Sequence, residues 1–224
     1  MYNWFRSFLS NRRQTTKLGK TELSDYLNIE TGVPQGSILG PLLFSIFIND
    51  FEIICQKSHP YLYADDGALY FNNISRENLA CLKDELYCVL AWLRANKLAI
   101  SFEKTKFIIF DKNDNLETLN IKVGMQEYNI SECKVIKYLG LHVDNKLKFK
   151  EHIEHIIKKV TKRIGAMYRG KNLLPIKYRK MFANSLILPL FDYLDIIYNH
   201  GNKTDLKCID IAYRRIGKIA LNQK

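Results

Sequence analysis

The sequence predicts an α+β fold in two parts: short antiparallel strands with packed helices as far as residue 145, and helices alone beyond it. Three observations carry this. Two aromatic-rich runs, Tyr61-Leu62-Tyr63-Ala64 and Ala68-Leu69-Tyr70-Phe71, flank Asp65-Asp66-Gly67, and Asp-Gly between such runs signals a hairpin. Ile153, Ile156, Ile157, Val160, Ile164 and Met167 fall on one face of a helix. The charge also breaks along the chain: residues 1–145 hold 16 Lys+Arg and 17 Asp+Glu, whereas residues 146–224 hold 18 and 6.

Each element follows from local pattern. Trp4, Phe5, Phe8 and Leu9 predict a short opening helix that Asn11 ends. Two short strands are expected near residues 14–18 and 26–30, with a turn at Gly19 and Lys20. Gly32-Val33-Pro34-Gln35-Gly36 breaks the chain. Pro41 then suits the first position of a helix running to about Ile54, apolar nearly all round and therefore expected to be buried. After the 61–71 hairpin, Ser75 reads as an N-cap. It precedes an amphipathic helix through Leu79, Leu82, Leu86, Val89 and Leu93 that ends near Asn96. Residues 106–110 read as a buried strand, 111–134 as a hairpin with a polar tip, and 135–143 as another strand. A helix over 149–169 places Lys158, Lys159, Lys162 and Arg163 opposite its apolar face. Residues 170–175 break it, and helices follow over 176–188 and 203–219.

Composition excludes several classes. With 224 residues, 47% hydrophobic and 12% aromatic, the chain can bury a core and is not disordered throughout. Its 11 Gly and 5 Pro exclude a collagen-like or low-complexity chain. The longest apolar stretch, residues 38–48, contains Gly40, Pro41 and Ser45 and falls short of the ~20 residues that span a bilayer. The opening MYNWFRSFLSNRR carries aromatics and Arg6 where a signal peptide needs a clean apolar run. An intracellular, soluble chain without a membrane segment is expected. Five cysteines with no C-x-x-C point to reduced thiols in a cytosolic or nuclear compartment. His142, His152 and His155 cluster loosely, with no surrounding pattern that specifies a metal.

The net +12 of residues 146–224 suits a polyanion, since each Lys or Arg near a phosphate releases condensed counterions. The adjacent carboxylates of Asp65 and Asp66 at a hairpin tip repel each other unless a positive charge is near, and a hard divalent cation supplies one. Alone, Asp-Asp-Gly is also an ordinary solvated turn.

Its context is more specific. Tyr63-Ala64-Asp65-Asp66 resembles the active-site signature of reverse transcriptases. Gly32-Val33-Pro34-Gln35-Gly36-Ser37-Ile38-Leu39-Gly40-Pro41-Leu42-Leu43-Phe44, followed by Ile48-Asn49-Asp50, resembles the template- and nucleotide-contacting motif of retrotransposon polymerases without long terminal repeats. Trp92-Leu93, Asn96-Lys97-Leu98 and Lys104-Thr105-Lys106 are similar to the family's next motif, although Ser101 stands where the family commonly has Asn. Lys137-Tyr138-Leu139-Gly140 resembles its primer-grip hairpin. The order of these motifs over residues 32–140 resembles a jockey- or LINE-type reverse transcriptase, with weaker flanking likeness over residues 4–14 and 188–198.

The resemblance implies a partial right-hand polymerase palm over residues 1–145 and a basic helical thumb over residues 146–224. It implies RNA-templated DNA synthesis, with RNA template, DNA primer and deoxynucleoside triphosphates as partners. Asp65 and Asp66 would be catalytic ligands of Mg²⁺ or Mn²⁺, and Lys104 would lie near the triphosphate. Gly32, Pro34, Gln35, Gly36, Tyr63 and Ala64 would contact nucleotide and template. Tyr138, Leu139 and Gly140 would hold the primer end, and Lys158, Lys159, Lys162 and Arg163 the nucleic-acid backbone. Bottom-up chemistry agrees: Gly32 and Gly36 permit close backbone approach, and Gln35 offers both donor and acceptor. The family's site also needs an aspartate from a strand preceding the opening helix, yet residues 1–24 contain no Asp and one acidic residue, Glu22. The resemblance thus implies a chain that starts inside the palm and does not extend a primer by itself, the cation being expected only in the complete polymerase. The competing expectation is a catalytically dead remnant that binds nucleic acid through its basic helices.

Overall fold

The computed structural model describes residues 1–20, 22–72, 79–110, 118–123 and 126–221. They form two compact units, Met1–Ala99 and Ile100–Lys224. Small antiparallel sheets and helices mix in both, an α+β composition; the expected change to helices alone falls at residue 150.

The first unit opens with helix α1, Tyr2–Leu9, on which Trp4 stacks against Phe8 with ring centroids 5.3 Å apart. Asn11 leaves the helix at φ 54°, as expected of its terminator. The strands that follow differ from expectation in number: β1 (Arg12–Gln14) pairs with β4 (Leu27–Ile29), and β2 (Lys17–Leu18) with β3 (Glu22–Leu23). One hairpin is thus interrupted midway. Ser24 causes the break, because its carbonyl and hydroxyl take the bonds of the Thr15 hydroxyl (2.6 Å) and the Thr16 amide (2.9 Å).

The apolar run after Pro41 is two helices, α2 (Gly40–Phe47) and α3 (Phe51–Ile54), separated by a turn at residues 48–50. It is not buried as expected. Leu42, Ile46 and Ile53 are exposed, and only Gly40 and Phe51 are buried on these helices. A helix apolar all round needs partners on every side, and the described residues of this unit supply them along one. That side is Phe51, edge-on to Trp92 at 5.1 Å, with Val89, Ile48, Ile54 and Leu69 around them. Helix α4, Leu79–Ala95, carries Val89 and Trp92, and ends where expected; Ser75, the expected N-cap, lies outside the described residues.

The second unit holds two hairpins and a helical bundle. Residues 106–110 make no strand; Phe107 forms a single parallel bridge with Glu132. An apolar run becomes a strand only where a neighbour offers a ladder, and here one residue finds it. Within the expected 111–134 hairpin, β7 (Thr118–Val123) pairs with β8 (Gln126–Ser131), with Leu119, Ile121 and Ile130 buried; residues 111–117 and the tip at 124–125 lie outside the described residues. Residues 135–143, expected as one strand, are a second hairpin, β9 (Val135–Tyr138) and β10 (Leu141–Asp144). Leu139 and Gly140, at φ 45° and 86°, form its two-residue turn.

Helix α5, Lys150–Arg169, confirms the period: Ile153, Ile156, Val160, Ile164 and Met167 are all buried, Val160 completely. Asp144 starts it, its carboxylate accepting from the amides of Lys146, Lys148 and Phe149 at 2.6–3.1 Å. The expected 176–188 helix is α6 (Ile176–Phe182) continued by a π turn, Ala183–Ile187, into α7 (Pro189–Asp192). Pro189 has no N–H to return to the helix, and the wider turn accommodates its ring. A short helix α8 (Asp195–Tyr198) precedes α9, Lys203–Leu221. Ile187, Phe191, Tyr198, Ala212 and Ile216 close the core against α5.

Candidate functional site

Strands β5 (His59–Tyr63) and β6 (Asp66–Tyr70) form the expected hairpin, in register Tyr63↔Asp66. The loop is therefore Ala64-Asp65, not Asp-Gly, and Gly67 sits in the ladder opposite Leu62. Gly67 serves packing: a Cβ there would stand 3.2 Å from Leu62 Cδ2. The left-handed position falls to Ala64, φ 52°, which costs about 1–2 kcal/mol relative to an ordinary backbone.

Asp65 and Asp66 are both exposed, and among the described residues their carboxylates have no hydrogen-bond or ion-pair partner. Adjacent carboxylate oxygens suit a hard divalent cation, so this pair fits as part of a Mg²⁺ or Mn²⁺ site. It is not a whole one: among the described residues no group of three or more His, Cys, Asp or Glu could hold a metal ion. Asp66 shares its face of the ribbon with Tyr63, its cross-strand partner, whose ring is exposed. The other face, with Pro60, Leu62 and Ala64, meets Pro41, Phe44 and Ile48 of the α2 region around a shallow cleft of about 350 Å³.

Below the tip, β5 is anchored by a residue that sequence reasoning missed. Glu85 of α4 is 2% exposed and accepts from the amide of Ser58 (3.2 Å), the hydroxyl of Ser58 (2.7 Å) and the amide of Lys57 (3.2 Å). A signal was present: Glu85 occupies the apolar stripe between Leu82 and Val89, where an unsatisfied carboxylate is costly.

In the glycine-rich loop, Gly32 and Gly36 adopt φ 74° and 79°, and a Cβ on either meets nothing within 4 Å. Their backbone conformation explains both glycines. Arg12 ties the loop to β1 through the carbonyls of Thr31 (3.0 Å) and Gly32 (2.5 Å). The Ser37 hydroxyl donates to the carbonyl of Pro34 (2.7 Å) and accepts from the Gly40 amide (3.0 Å), turning the chain into α2. Gln35 is exposed at the loop's crest.

The second unit holds the remaining expected residues. Lys104 is exposed in a turn whose amides at 104 and 105 return to the Ser101 carbonyl at 3.1 and 3.0 Å. The Tyr138-Leu139-Gly140 segment ends β9 and turns the hairpin. Tyr193 clasps that turn: its hydroxyl donates to the Leu139 carbonyl at 2.6 Å, and its ring lies 3.2 Å from where a Gly140 Cβ would be. On α5, Lys158, Lys159 and Lys162 are exposed. Arg163 is half-buried and donates to the carbonyl of Leu186 in the π turn, so it differs from the three lysines in being occupied within the fold.

The loose histidine cluster of the sequence comes together. His142 and His155 rings lie 4.6 Å apart edge to face, and His142 and His152 5.9 Å apart. The amide of His142 donates to Nδ1 of the buried His152 at 3.3 Å, which puts the neutral imidazole's proton on Nε2. Burial first, then the neighbouring His142 and His155, pushes His152 down to about 4.

Comparison with known proteins adds to this geometry. The chain is 24% identical over 96% of its length to the "Probable RNA-directed DNA polymerase from transposon BS" of Drosophila melanogaster. It is 27% identical over 94% to the "RNA-directed DNA polymerase from mobile element jockey" of the same organism. Over 62% of its length it is 30% identical to the "Retrovirus-related Pol polyprotein from type-1 retrotransposable element R1" of Nasonia vitripennis. It spans 25%, 24% and 43% of those relatives. No solved structure matches it. Residues 1–143 match the family described as "Reverse transcriptase (RNA-dependent DNA polymerase)", and the chain belongs to that family.

Proposed function

We propose that the chain is the carboxylate-bearing part of a retrotransposon's RNA-directed DNA polymerase, with a partial palm over residues 1–145 and a basic helical thumb over residues 146–224. The observation that carries this is the β5–β6 tip, which presents Asp65 and Asp66 with no side-chain partner among the described residues. In the complete polymerase the primer's 3′-hydroxyl would attack the α-phosphate of a deoxynucleoside triphosphate paired to an RNA template, the new P–O bond forming as the bond to the departing pyrophosphate breaks and the hydroxyl proton is lost to solvent. Asp65, with Asp66 beside it, would hold the cation. Bound there, Mg²⁺ or Mn²⁺ supplies charge stabilisation to the reacting phosphate oxygens. Gln35, with Gly32, Pro34 and Gly36, approaches template and nucleotide, next to Tyr63 and Ala64. Lys104 offers a positive charge to the triphosphate. Tyr138, Leu139 and Gly140 hold the primer end, while Lys158, Lys159 and Lys162 meet the phosphate backbone without reading bases. Such a polymerase works inside the cell, in nucleus or cytoplasm; no helix among the described residues is long and apolar enough to cross a membrane.

A second reading is a nucleic-acid-binding remnant without catalysis, supported by the exposed Lys158, Lys159 and Lys162 of α5. Primer extension separates the two. Residues 1–224 alone are expected to give no extension with Mg²⁺ or Mn²⁺. Substituted for the matching segment of the jockey polymerase, they are expected to support synthesis that Asp65→Ala abolishes. An active chimaera indifferent to Asp65→Ala would refute the polymerase assignment, and Asp65-dependent synthesis by residues 1–224 alone would refute the incomplete-site account.

A further inference from the structure

The junction of the β9–β10 hairpin with α5 gathers Lys137, His142 and His155, which neither the core nor the proposed polymerase chemistry uses, beside Lys159, which the proposed thumb surface already includes. The register places Lys137 directly across from His142, so both side chains leave one face of the hairpin. Helix α5 contributes His155, whose ring is 4.6 Å from that of His142, and Lys159 one turn further on. Lys137 and Lys159 each act electrostatically on both imidazoles, and Lys158 acts on His155. Among the described residues that act electrostatically on the pair, Glu151 alone carries the opposite sign, and it acts on His142. The lysines are exposed and the two imidazoles half-buried, while His152 beneath them is buried against Tyr198. The Nδ1 of His142 is buried and has no partner.

Packing does not account for this rim. Val160, Ile156, Ile164 and Met167 fill the core side of α5, and His155 and Lys159 are not part of that core. The two lysine charges repel each other and any proton added to the imidazoles, and an anion between them removes that repulsion. We propose that Lys137, His142, His155 and Lys159 form a binding site for a phosphate-bearing anion, supplied either by the phosphodiester of a nucleic-acid strand or by free inorganic phosphate. Lysine ammonium groups serve as point charges for phosphate oxygens, and imidazole N–H groups donate to them. Occupancy is coupled to protons. Burial, and after it the adjacent lysines and histidines, hold both imidazoles below the usual histidine range. A bound anion opposes the repulsive part of that effect, so binding draws protons onto the rings, and by linkage mild acid strengthens binding. Binding phosphate here requires none of the polymerase chemistry.

The test is proton NMR of the imidazole Cε1–H signals of the 224-residue chain, titrated from about pH 8 to about pH 4.5, a window that reaches well below the unperturbed histidine midpoint. Three samples at one ionic strength are compared: without ligand, with sodium phosphate, and with single-stranded DNA of about 12 nucleotides. His→Asn variants assign the signals. The midpoints of His142 and His155 are expected to rise by about half a unit, a roughly threefold change in proton affinity, in at least one ligand sample. Lys137→Gln with Lys159→Gln is expected to remove the rise. A rise with phosphate alone identifies a free-anion site, and a larger rise with DNA identifies the strand. Midpoints unmoved in both samples overturn the proposal, as does a rise that survives the double lysine variant. DNA that binds while both imidazoles stay unmoved also overturns it, and leaves the basic face of α5 as the contact, with the polymerase reading intact.

Discussion

His152 makes the stability of the second unit depend on acid, and the size of the effect follows from its surroundings. The ring is 2% exposed, its Nδ1 accepts from the His142 amide, and its folded-state midpoint is about 4. An unfolded chain titrates near 6.5. Above that value the neutral ring is preferred in both states and the full stability is present. As the pH falls below it, the unfolded chain gains a proton that the folded one refuses until about pH 4, so stability is lost across that window. The loss is about 2 kcal/mol from pH 7 to pH 5, and about 3 kcal/mol by pH 4. Burial is the first cause, followed by the neighbouring His142 and His155; in addition, a protonated Nδ1 would turn a donor toward the His142 N–H, a second donor. His152→Asn keeps an acceptor near the Nδ1 position and cannot titrate. Urea unfolding followed by circular dichroism at pH 7 and pH 5 is expected to show the native chain losing about 2 kcal/mol more than His152→Asn. Equal losses in both proteins would refute the reasoning, whatever the variant's absolute stability.

Three further outcomes test the carboxylate hairpin and the turn beyond it. Ala64→Gly relieves the φ 52° conformation and is expected to raise unfolding free energy by about 0.5–1 kcal/mol, measured in urea. Glu85→Ala strands the Lys57 and Ser58 donors in a buried site and is expected to cost about 3 kcal/mol, with Glu85→Gln recovering part of it. Gly140→Ala meets both φ 86° and the Tyr193 ring; it is expected to cost at least about 1–2 kcal/mol, and distinctly less when Tyr193 is also Ala.

Elements whose periods are long and unbroken were legible in the sequence. Helix α5 needed only its six apolar positions, and the carboxylate hairpin its two aromatic runs. What local pattern does not contain is the identity of the neighbour. Residues 106–110 look like a strand, but a ladder needs a partner, and only Phe107 has one. The apolar run from Pro41 looks buried, but burial depends on what lies opposite. Register is similarly non-local: Asp-Gly is the better turn pair, yet pairing Tyr63 with Asp66 and Leu62 with Gly67 moved the loop back to Ala64-Asp65. At the site, the exposed carboxylates and lysines were readable one by one. The partners of Glu85, the clasp of Tyr193 and the ring contact of His142 with His155 were not, because each is a contact between separate elements, although the place of Glu85 in an apolar stripe and the loose grouping of the histidines were visible.

The clasp of Tyr193 on the hairpin turn bears on the order in which the second unit assembles. Its hydrogen bond to Leu139 spans 54 residues. Closing a loop of that length costs about 3.5 kcal/mol of chain entropy, whereas a single hydrogen bond returns about 1 kcal/mol. The bond therefore cannot draw the turn and the α7–α8 segment together; the packing of α5 with α9 and the π turn must bring them close first. Tyr193 then closes late, on the native side of the folding barrier. Tyr193→Phe is therefore expected to accelerate unfolding and leave the folding rate unchanged in stopped-flow measurements, as it would if the turn that is proposed to hold a primer end takes its final shape only once the helical bundle behind it is complete.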